Sequence, residues 1–389
     1  MNVIFVLGLI LLVGFLAVKA VGKIKLPSVT AYLLLGIVMG PSFLNLISAD
    51  LLGYSGFISN VVLSFIAFSI GQNFYRENFR QIGKTVLWIS VLEAFGAWLF
   101  VTFAFIVVLH QPVHVAILFG AIASATAPAA TMMIIRQYKA KGVFTNTLMG
   151  VVAIDDAWCL VIFALSLAVA KSISGQNHSF VMVFGSVFYS LVHIVGAFLL
   201  GGVLGWLMVR ISRLIRTTEE LLVYTLSFVL LCSGLATHLH FSLLLSNMFM
   251  GMVLVNTDKQ SEKFFNVLQT VDSPLYLFFF VFAGASLEIG LLKKLGIMGI
   301  TYIVFRVAGK MLGAYTGGRI AMAAASVRKY MGIALIPQAG VALGVALIAK
   351  ADFPEVGSII ITTIVATTVV YELIGPLCTK IALQKAGEI

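Results

Sequence analysis

Long apolar runs separated by short polar turns fill the chain from end to end. A helix that crosses a bilayer needs about 20 mostly apolar residues. About thirteen segments of this kind can be delimited: 3–21, 28–48, 55–74, 85–109, 113–136, 144–170, 180–209, 220–238, 240–256, 269–289, 295–324, 330–349 and 356–380. The pattern therefore predicts an all-α polytopic membrane protein, with no soluble domain.

Composition and charge agree with a membrane protein. The residues are 61% apolar and 10% charged, whereas a soluble domain has about 45–50% and about 25%. The net charge of +10 comes from short loops, so it indicates topology and not nucleic-acid binding. Nineteen Lys and Arg residues follow odd-numbered segments, and four follow even-numbered ones: Lys171, Lys293, Lys294 and Lys350. The positive-inside rule then predicts an inner-membrane protein whose N-terminus is outside and whose C-terminus is cytoplasmic.

Two prolines indicate an internal repeat. Pro128 ends the small-residue run 124–128 of the fifth segment, and Pro337 opens the run 337–340 of the twelfth. Interrupted helices at matching positions of two inverted halves are typical of transporter binding sites. The seven-segment offset predicts inverted repeats at 1–170 and 220–389, joined by a linking helix at 171–219, with the two interrupted helices crossing near the membrane midplane.

The acids Asp155 and Asp156 lie near the middle of the sixth segment. A charge at the bilayer centre costs about 2.5–3.5 kcal/mol on insertion scales, so two adjacent acids need a cation, protons or a basic partner. They point about 100° apart around a helix, so each faces different surroundings. Lys310, deep in the eleventh segment, is the natural partner, and it could bind and release a proton.

Further polar residues lie close to the predicted breaks or within apolar runs. Ser124 and Thr126 flank the first break, and Thr126 could offer oxygen to a cation, although close helix packing explains small residues equally well. Arg306 shares a helix face with Lys310, four residues on. Either Glu93 or Glu372 could neutralise Arg306, and structural pairing is favoured for both acids over a part in transport.

At this point the sequence resembles a known family. The Asp155-Asp156 pair, the run 306–314 (Arg-Val-Ala-Gly-Lys-Met-Leu-Gly-Ala) and the run 337–344 (Pro-Gln-Ala-Gly-Val-Ala-Leu-Gly) look like the bacterial monovalent cation:proton antiporter family 2, in the sodium/proton exchanger superfamily. The resemblance covers nearly the whole chain. It implies a homodimer in which a core domain moves by alternating access.

The resemblance also assigns roles to the site residues. It implies that Asp156 binds the cation or proton, that Asp155 pairs with Lys310 when sodium is absent, and that exchange is electrogenic. Many relatives carry a charged residue in the second interrupted helix, roughly where Gln338 and Gly340 stand here. The resemblance therefore does not supply the charged residue that would compensate charge at that crossing.

The predicted function is exchange of a monovalent cation, foremost Na⁺, for H⁺ in pH homeostasis, without a cofactor. A K⁺/H⁺ antiporter of the same family and a sodium-coupled organic-anion symporter stay open, and the sequence does not choose between Na⁺, Li⁺ and K⁺. An enzyme is not expected, because adjacent Asp residues on one helix diverge and cannot converge on one water as in an intramembrane aspartyl protease. A channel is disfavoured, because inverted repeats with buried titratable groups favour alternating access.

Overall fold

A computed structural model describes residues 3–23, 27–174, 180–287, 296–338 and 340–389. Its α-helices are numbered in chain order: α1 Val3–Lys23, α2 Ser28–Met39, α3 Ala49–Leu52, α4 Ser55–Gly71, α5 Arg76–Val107, α6 Val113–Ser124, α7 Pro128–Gln137, α8 Val143–Ile173, α9 Phe180–Ile211, α10 Thr218–His238, α11 Leu243–Thr257, α12 Glu262–Ala285, α13 Gly296–Ile320, α14 Ala325–Ala334, α15 Gly340–Asp352 and α16 Pro354–Ala386. The described residues contain no strand, so the predicted all-α class is confirmed.

Each of the predicted apolar segments coincides with a helix or a helix pair, but not all are long enough to span a bilayer. Within the described ranges, nine helices are long and apolar enough, with 113–137 counted as one. A tenth is α12, bent by 54° between Leu268 and Ser273. The predicted segments 28–48, 240–256 and 330–349 contain the shorter apolar helices Ser28–Met39, Leu243–Thr257 and Val341–Lys350. Lys25, Lys293 and Lys294 of the basic-residue count lie outside the described residues.

The chain divides into two compact units. The first contains residues 1–25, 31–82 and 192–286, and the second contains 26–30, 83–191 and 287–389. Each has its own apolar core: Phe68, Phe265 and Met250 lie in that of the first, and Phe105, Phe119 and Ile364 in that of the second. Each unit takes helices from both halves of the sequence, so the division into units differs from the division into repeats. The inverted repeats stay a prediction.

Both predicted helix interruptions are present in the second unit. Residues 125–127 separate α6 from α7, with Pro128 as the first residue of α7. Leu335 to Gln338 follow α14 before α15 begins at Gly340. Pro at the start of a helix loses no internal hydrogen bond, which explains why Pro128, the last residue of the run 124–128, opens the next helix. The breaks touch directly, because the Ala127 N–H donates to the Pro337 carbonyl at 2.9 Å.

Glycines bring α13 unusually close to α5. A Cβ at Gly309 would meet the Gly96 carbonyl oxygen at 2.5 Å, and one at Gly317 would meet the Trp88 carbonyl oxygen at 2.5 Å. Gly313, between them, faces the backbone of Leu92 and Glu93 in the same way. Small residues at a spacing of four allow two backbones to approach within a membrane protein. We call the contact of Gly309, Gly313 and Gly317 with α5 the glycine seam.

Two tryptophans hold α5 beside α8. The Trp158 indole N–H donates to Ser90 Oγ at 3.1 Å, and the Trp98 indole N–H donates to Ser166 Oγ at 3.0 Å. Glu93 lies between the two α5 anchor positions, while Asp155 and Asp156 lie just before Trp158 on α8. The glycine seam and these hydrogen bonds therefore bring acids of α5 and α8 towards the basic residues of α13.

Candidate functional site

Lys310 is the centre of a fully buried polar cluster. Its ammonium Nζ lies 2.5 Å from Glu93 Oε2 and donates to the Ser124 carbonyl at 2.8 Å and to Thr126 Oγ1 at 2.7 Å. Asp155 Oδ2 lies 3.7 Å away. The ammonium thus has two carboxylates within ion-pair distance and two oxygens of the first helix break as further acceptors. This satisfies all three N–H donors of a lysine without water.

Asp155 and Asp156 are buried on α8, with exposed fractions of 0% and 5%. Asp155 Oδ1 and Asp156 Oδ1 accept no hydrogen bond from the described residues, although both atoms are buried. A buried carboxylate oxygen without a donor is costly unless a proton or a cation binds it. Hard cations prefer such oxygen ligands. The pair is therefore chemically suited to bind either a proton or a small cation.

Arg306 joins the two helix breaks. Its guanidinium donates to the carbonyls of Ala123 at 2.9 Å, Ala125 at 2.7 Å and Ile336 at 2.7 Å. The last carbonyls of a helix have no partner within that helix. One fully buried arginine thus bonds to a carbonyl at the end of α6 and to carbonyls in both breaks. The Tyr371 ring of α16 lies beneath the guanidinium, at 4.5 Å.

Gln338 makes a second, uncharged link between the breaks. Its amide donates to the Ile122 carbonyl at 2.9 Å, and its side chain exchanges hydrogen bonds with the Tyr302 hydroxyl. Many family members were expected to have a charged residue near this position. Here a neutral amide bonds to the end of α6, while the nearby positive charge comes from Arg306 on α13.

The structure corrects the expected partners of the basic residues. Arg306 pairs with neither Glu93 nor Glu372 in the described part of the chain, because its donors are taken by backbone carbonyls. Glu93 instead forms an ion pair with Lys310, because the glycine seam brings α5 against that part of α13. The expected partner Asp155 is the more distant of the two acids. Glu372 is buried on α16, beside Tyr371, and its Oε2 accepts no hydrogen bond from the described residues.

The other predicted site residues are placed around the same crossing. Thr126 contacts Lys310 through its hydroxyl, whereas Ser124 does so through its backbone carbonyl. The Ser124 hydroxyl donates to the Ala121 carbonyl at 2.7 Å. Pro128 and Pro337 lie at the breaks themselves. A direct role of these residues as ion ligands stays a prediction.

The cluster carries more acids than bases. Glu93, Asp155 and Asp156 are three carboxylates, whereas Lys310 and Arg306 supply two positive charges. If all five groups were ionised, one negative charge would be uncompensated in a buried site. Such a charge is tolerated only if a proton or a cation neutralises it. One monovalent cation or one proton would neutralise these five groups, in which Glu372 of α16 is not counted.

Sequence reasoning missed Tyr302, Tyr371 and the pairing of Glu93 with Lys310. A signal for Tyr302 was available, because residues 302, 306 and 310 are spaced by four and share a helix face. The glycine spacing at 309, 313 and 317 was a signal that this helix meets another backbone closely. Neither pattern identifies the partner helix, so neither gives the contact itself.

Comparisons with known proteins agree with this architecture. A family model described as "Sodium/hydrogen exchanger, transmembrane" matches residues 7–385. The Na(+)/H(+) antiporter NhaS4 of Synechocystis sp. is 24% identical over 342 residues, which are 82% of this chain and 81% of that protein. The ammonium/H(+) antiporter subunit AmhT of Alkalihalophilus pseudofirmus is 26% identical over 323 residues, 81% of this chain and 78% of the relative.

A solved structure shares the fold. The sodium proton antiporter MjNhaP1 from Methanocaldococcus jannaschii at pH 8 superposes with a TM-score of 0.71 at 22% identity, covering 99% of this chain and 95% of that one. An electron-microscopy structure of the same protein gives a TM-score of 0.75 at 21% identity, covering 100% and 96%. At this identity, the likeness is one of fold.

Fold and site together define a polytopic α-helical membrane protein with buried ionisable residues at a crossing of two interrupted helices. Because the family model covers nearly all of its length, the chain belongs to the sodium/hydrogen exchanger family. The predicted family is thereby confirmed. The named relatives are antiporters and not enzymes.

Proposed function

We propose that this protein is a secondary antiporter that exchanges Na⁺ for H⁺. The observation that carries the proposal is the buried cluster in which Lys310 lies between Glu93 and Asp155, next to Asp156, with carboxylate oxygens that accept no hydrogen bond from the described residues. The cation binds at Asp156, with Asp155 and Thr126 as further oxygen ligands. Without the cation, Asp156 holds a proton.

Competition for the same oxygens couples the two ions. Proton and cation both neutralise the one surplus negative charge, so binding of either makes the other unnecessary. Lys310 contributes by moving between two acids. It pairs with Asp155 when the cation is absent, and it turns to Glu93 when the cation occupies Asp155.

We further propose that exchange is electrogenic. Trading one monovalent cation for one proton moves no net charge, so a voltage-dependent exchanger must release a second proton per cation. Lys310 is placed to supply it, because it touches the acid next to the cation site. The transporter works by alternating access, in which a core moves around the buried cluster.

We propose a homodimer in the bacterial inner membrane, with the N-terminus outside and the C-terminus in the cytoplasm. The dimer follows from the family resemblance, and the orientation follows from the distribution of basic residues. Contacts within the second unit support this span count. The Ser28 N–H donates to Gln137 Oε1 at 2.8 Å, and Lys171 lies 2.8 Å from Asp352. Each contact joins two segment ends that the count puts on one side.

The test is ion exchange by purified protein in liposomes that contain a pH dye. Na⁺, Li⁺, K⁺ and NH₄⁺ are added in turn, and NH₄⁺ is compared with protein-free vesicles because ammonia crosses bilayers unaided. NH₄⁺ is included because one relative is named as an ammonium/H⁺ antiporter subunit. Na⁺ should move protons, and Asp156→Asn should abolish the response, because a neutral amide cannot both bind a cation and release a proton. A variant with near-normal activity would remove Asp156 from the mechanism.

A further inference from the structure

Helix α8, which carries Asp155 and Asp156, begins without a cap of its own. Its N-cap residue is Gly142, which has no side chain. The first N–H groups of a helix have no acceptor within the helix, and a Ser, Thr, Asp or Asn side chain at the N-cap normally accepts from them. Here the acceptor comes from the other end of the sequence.

The carboxylate of Glu388 takes that place. The Phe144 N–H donates to Glu388 Oε1 at 2.8 Å, and the Thr145 N–H donates to Oε2 at 2.7 Å. The Thr145 hydroxyl adds a third hydrogen bond to Oε2, at 2.6 Å. A negative charge at this end of a helix is also favoured by the helix dipole. Glu388 therefore caps α8 through both of its carboxylate oxygens.

Both partners are shaped for this contact. A Cβ at residue 142 would collide with the Glu388 carboxylate, and Gly142 has a φ of +152°, which other residues rarely adopt. At the other end, Gly387 ends α16 in the left-handed conformation, and the Glu388 N–H donates to the Leu383 carbonyl at 3.1 Å. This glycine turn is a common way to end a helix, and it directs Glu388 back to α8.

A second attachment lies near the opposite ends of α8 and α16, and it is made by the last residue of α15. Lys171, in the last turn of α8, pairs with Asp352 at 2.8 Å. Asp352 precedes the start of α16, at Pro354, by two residues. Helix α8 is thus fastened near both ends: at its start to Glu388, two residues after α16, and at its end to Asp352, two residues before α16. The two helices therefore run antiparallel.

We propose that these two attachments make α8 and α16 move as one piece, and that Glu388 is a positioning residue for ion exchange; this role rests on the proposed function above. Asp155 lies about 18 Å along the helix from Val143, at about 1.5 Å per residue, so Glu388 acts through the helix and not on the cation. What it holds in place is α8, the helix of the Asp pair, relative to α16, whose Tyr371 ring lies beneath Arg306.

The experiment compares Glu388→Gln and Thr145→Val with Glu355→Gln as the matched control, because Glu355 is an exposed acid in the first turn of α16. Sodium-dependent proton movement in proteoliposomes gives KM and maximal rate. Hydrogen–deuterium exchange reports protection of the Phe144 and Thr145 amides. Removing a helix cap shifts the local equilibrium by about five-fold.

We expect Glu388→Gln to raise the sodium KM by about five-fold while the maximal rate stays nearly constant, with faster amide exchange at the start of α8. Thr145→Val loses one of the three hydrogen bonds, so it should raise the sodium KM and the amide exchange rate by smaller amounts. Glu355→Gln should change neither the KM nor the amide exchange. Faster amide exchange with an unchanged KM would overturn the positioning role and leave a structural cap. Unchanged amide protection would overturn the cap itself. Failure of the proposed function would look different, because the unmodified protein would then show no sodium-dependent proton movement.

Discussion

Glu93→Gln is the sharpest perturbation of the buried cluster. The substitution keeps the size of the side chain and removes the negative charge that lies 2.5 Å from the Lys310 ammonium. The remaining acid within ion-pair distance of Lys310 is Asp155, at 3.7 Å. With Glu93 neutralised, the ammonium should move onto Asp155, where it competes with the transported cation.

The two distances give the size of the effect. At an effective dielectric constant of about 20, unit charges attract by about 7 kcal/mol at 2.5 Å and by about 4.5 kcal/mol at 3.7 Å. Once Glu93 is neutral, moving the ammonium from 3.7 Å to about 2.5 Å from Asp155 strengthens their attraction by about 2 kcal/mol. The cation must overcome up to this much extra attraction to bind at Asp155, which corresponds to about a 30-fold higher cation KM.

The assay measures initial rates of proton movement in proteoliposomes over a series of sodium concentrations. The KM should rise about 10- to 30-fold, whereas the maximal rate should change much less, because saturating sodium displaces Lys310 from Asp155. Glu355→Gln is the control, since that acid is exposed. An unchanged KM in folded Glu93→Gln protein would refute the competition between Lys310 and the cation.

Three further predictions concern charge movement, orientation and packing. Lys310→Gln should abolish transport, because Asp155 is then left buried without its base, or else leave transport that no longer responds to an imposed potential. Exchange with unchanged voltage dependence would show that Lys310 has neither role. A reporter active only in the cytoplasm and fused after Ile389 should give a signal, and a periplasmic signal would contradict the span count. Gly313→Ala should destabilise the protein by about 1–3 kcal/mol through overpacking against α5 and lower its melting temperature in detergent. Gly344→Ala should not, because a Cβ there meets open space.

The sequence was enough to find the elements of the site. A double acid in an apolar segment is costly, so Asp155 and Asp156 were recognisable without a structure. The proline runs indicated where two helices are interrupted, and the four-residue spacing put Arg306 and Lys310 on one face. All of these inferences depend on local patterns along one segment.

Local sequence patterns could not predict which side chains of different segments contact one another. Lys310 and Glu93 are 217 residues apart, and nothing local tells which of several acids an arginine or lysine will meet. The assignment of Glu93 or Glu372 to Arg306 failed because it assumed that a buried cation must have a carboxylate partner. Arg306 donates instead to backbone carbonyls at the helix breaks. How many carbonyls come within its reach depends on how the two interrupted helices cross, which the sequence does not give.

The glycine seam has a consequence for how tightly the two ion fluxes are coupled. The backbones of α5 and α13 meet so closely at Gly309, Gly313 and Gly317 that even an added Cβ would collide with α5. Protons hop along chains of water molecules, so in the proposed exchange a close backbone contact of this kind would oppose a proton leak past Lys310. A larger residue at one of these glycines would separate the two helices and let water enter between them. The first effect to be observed would be a passive proton leak in the absence of sodium.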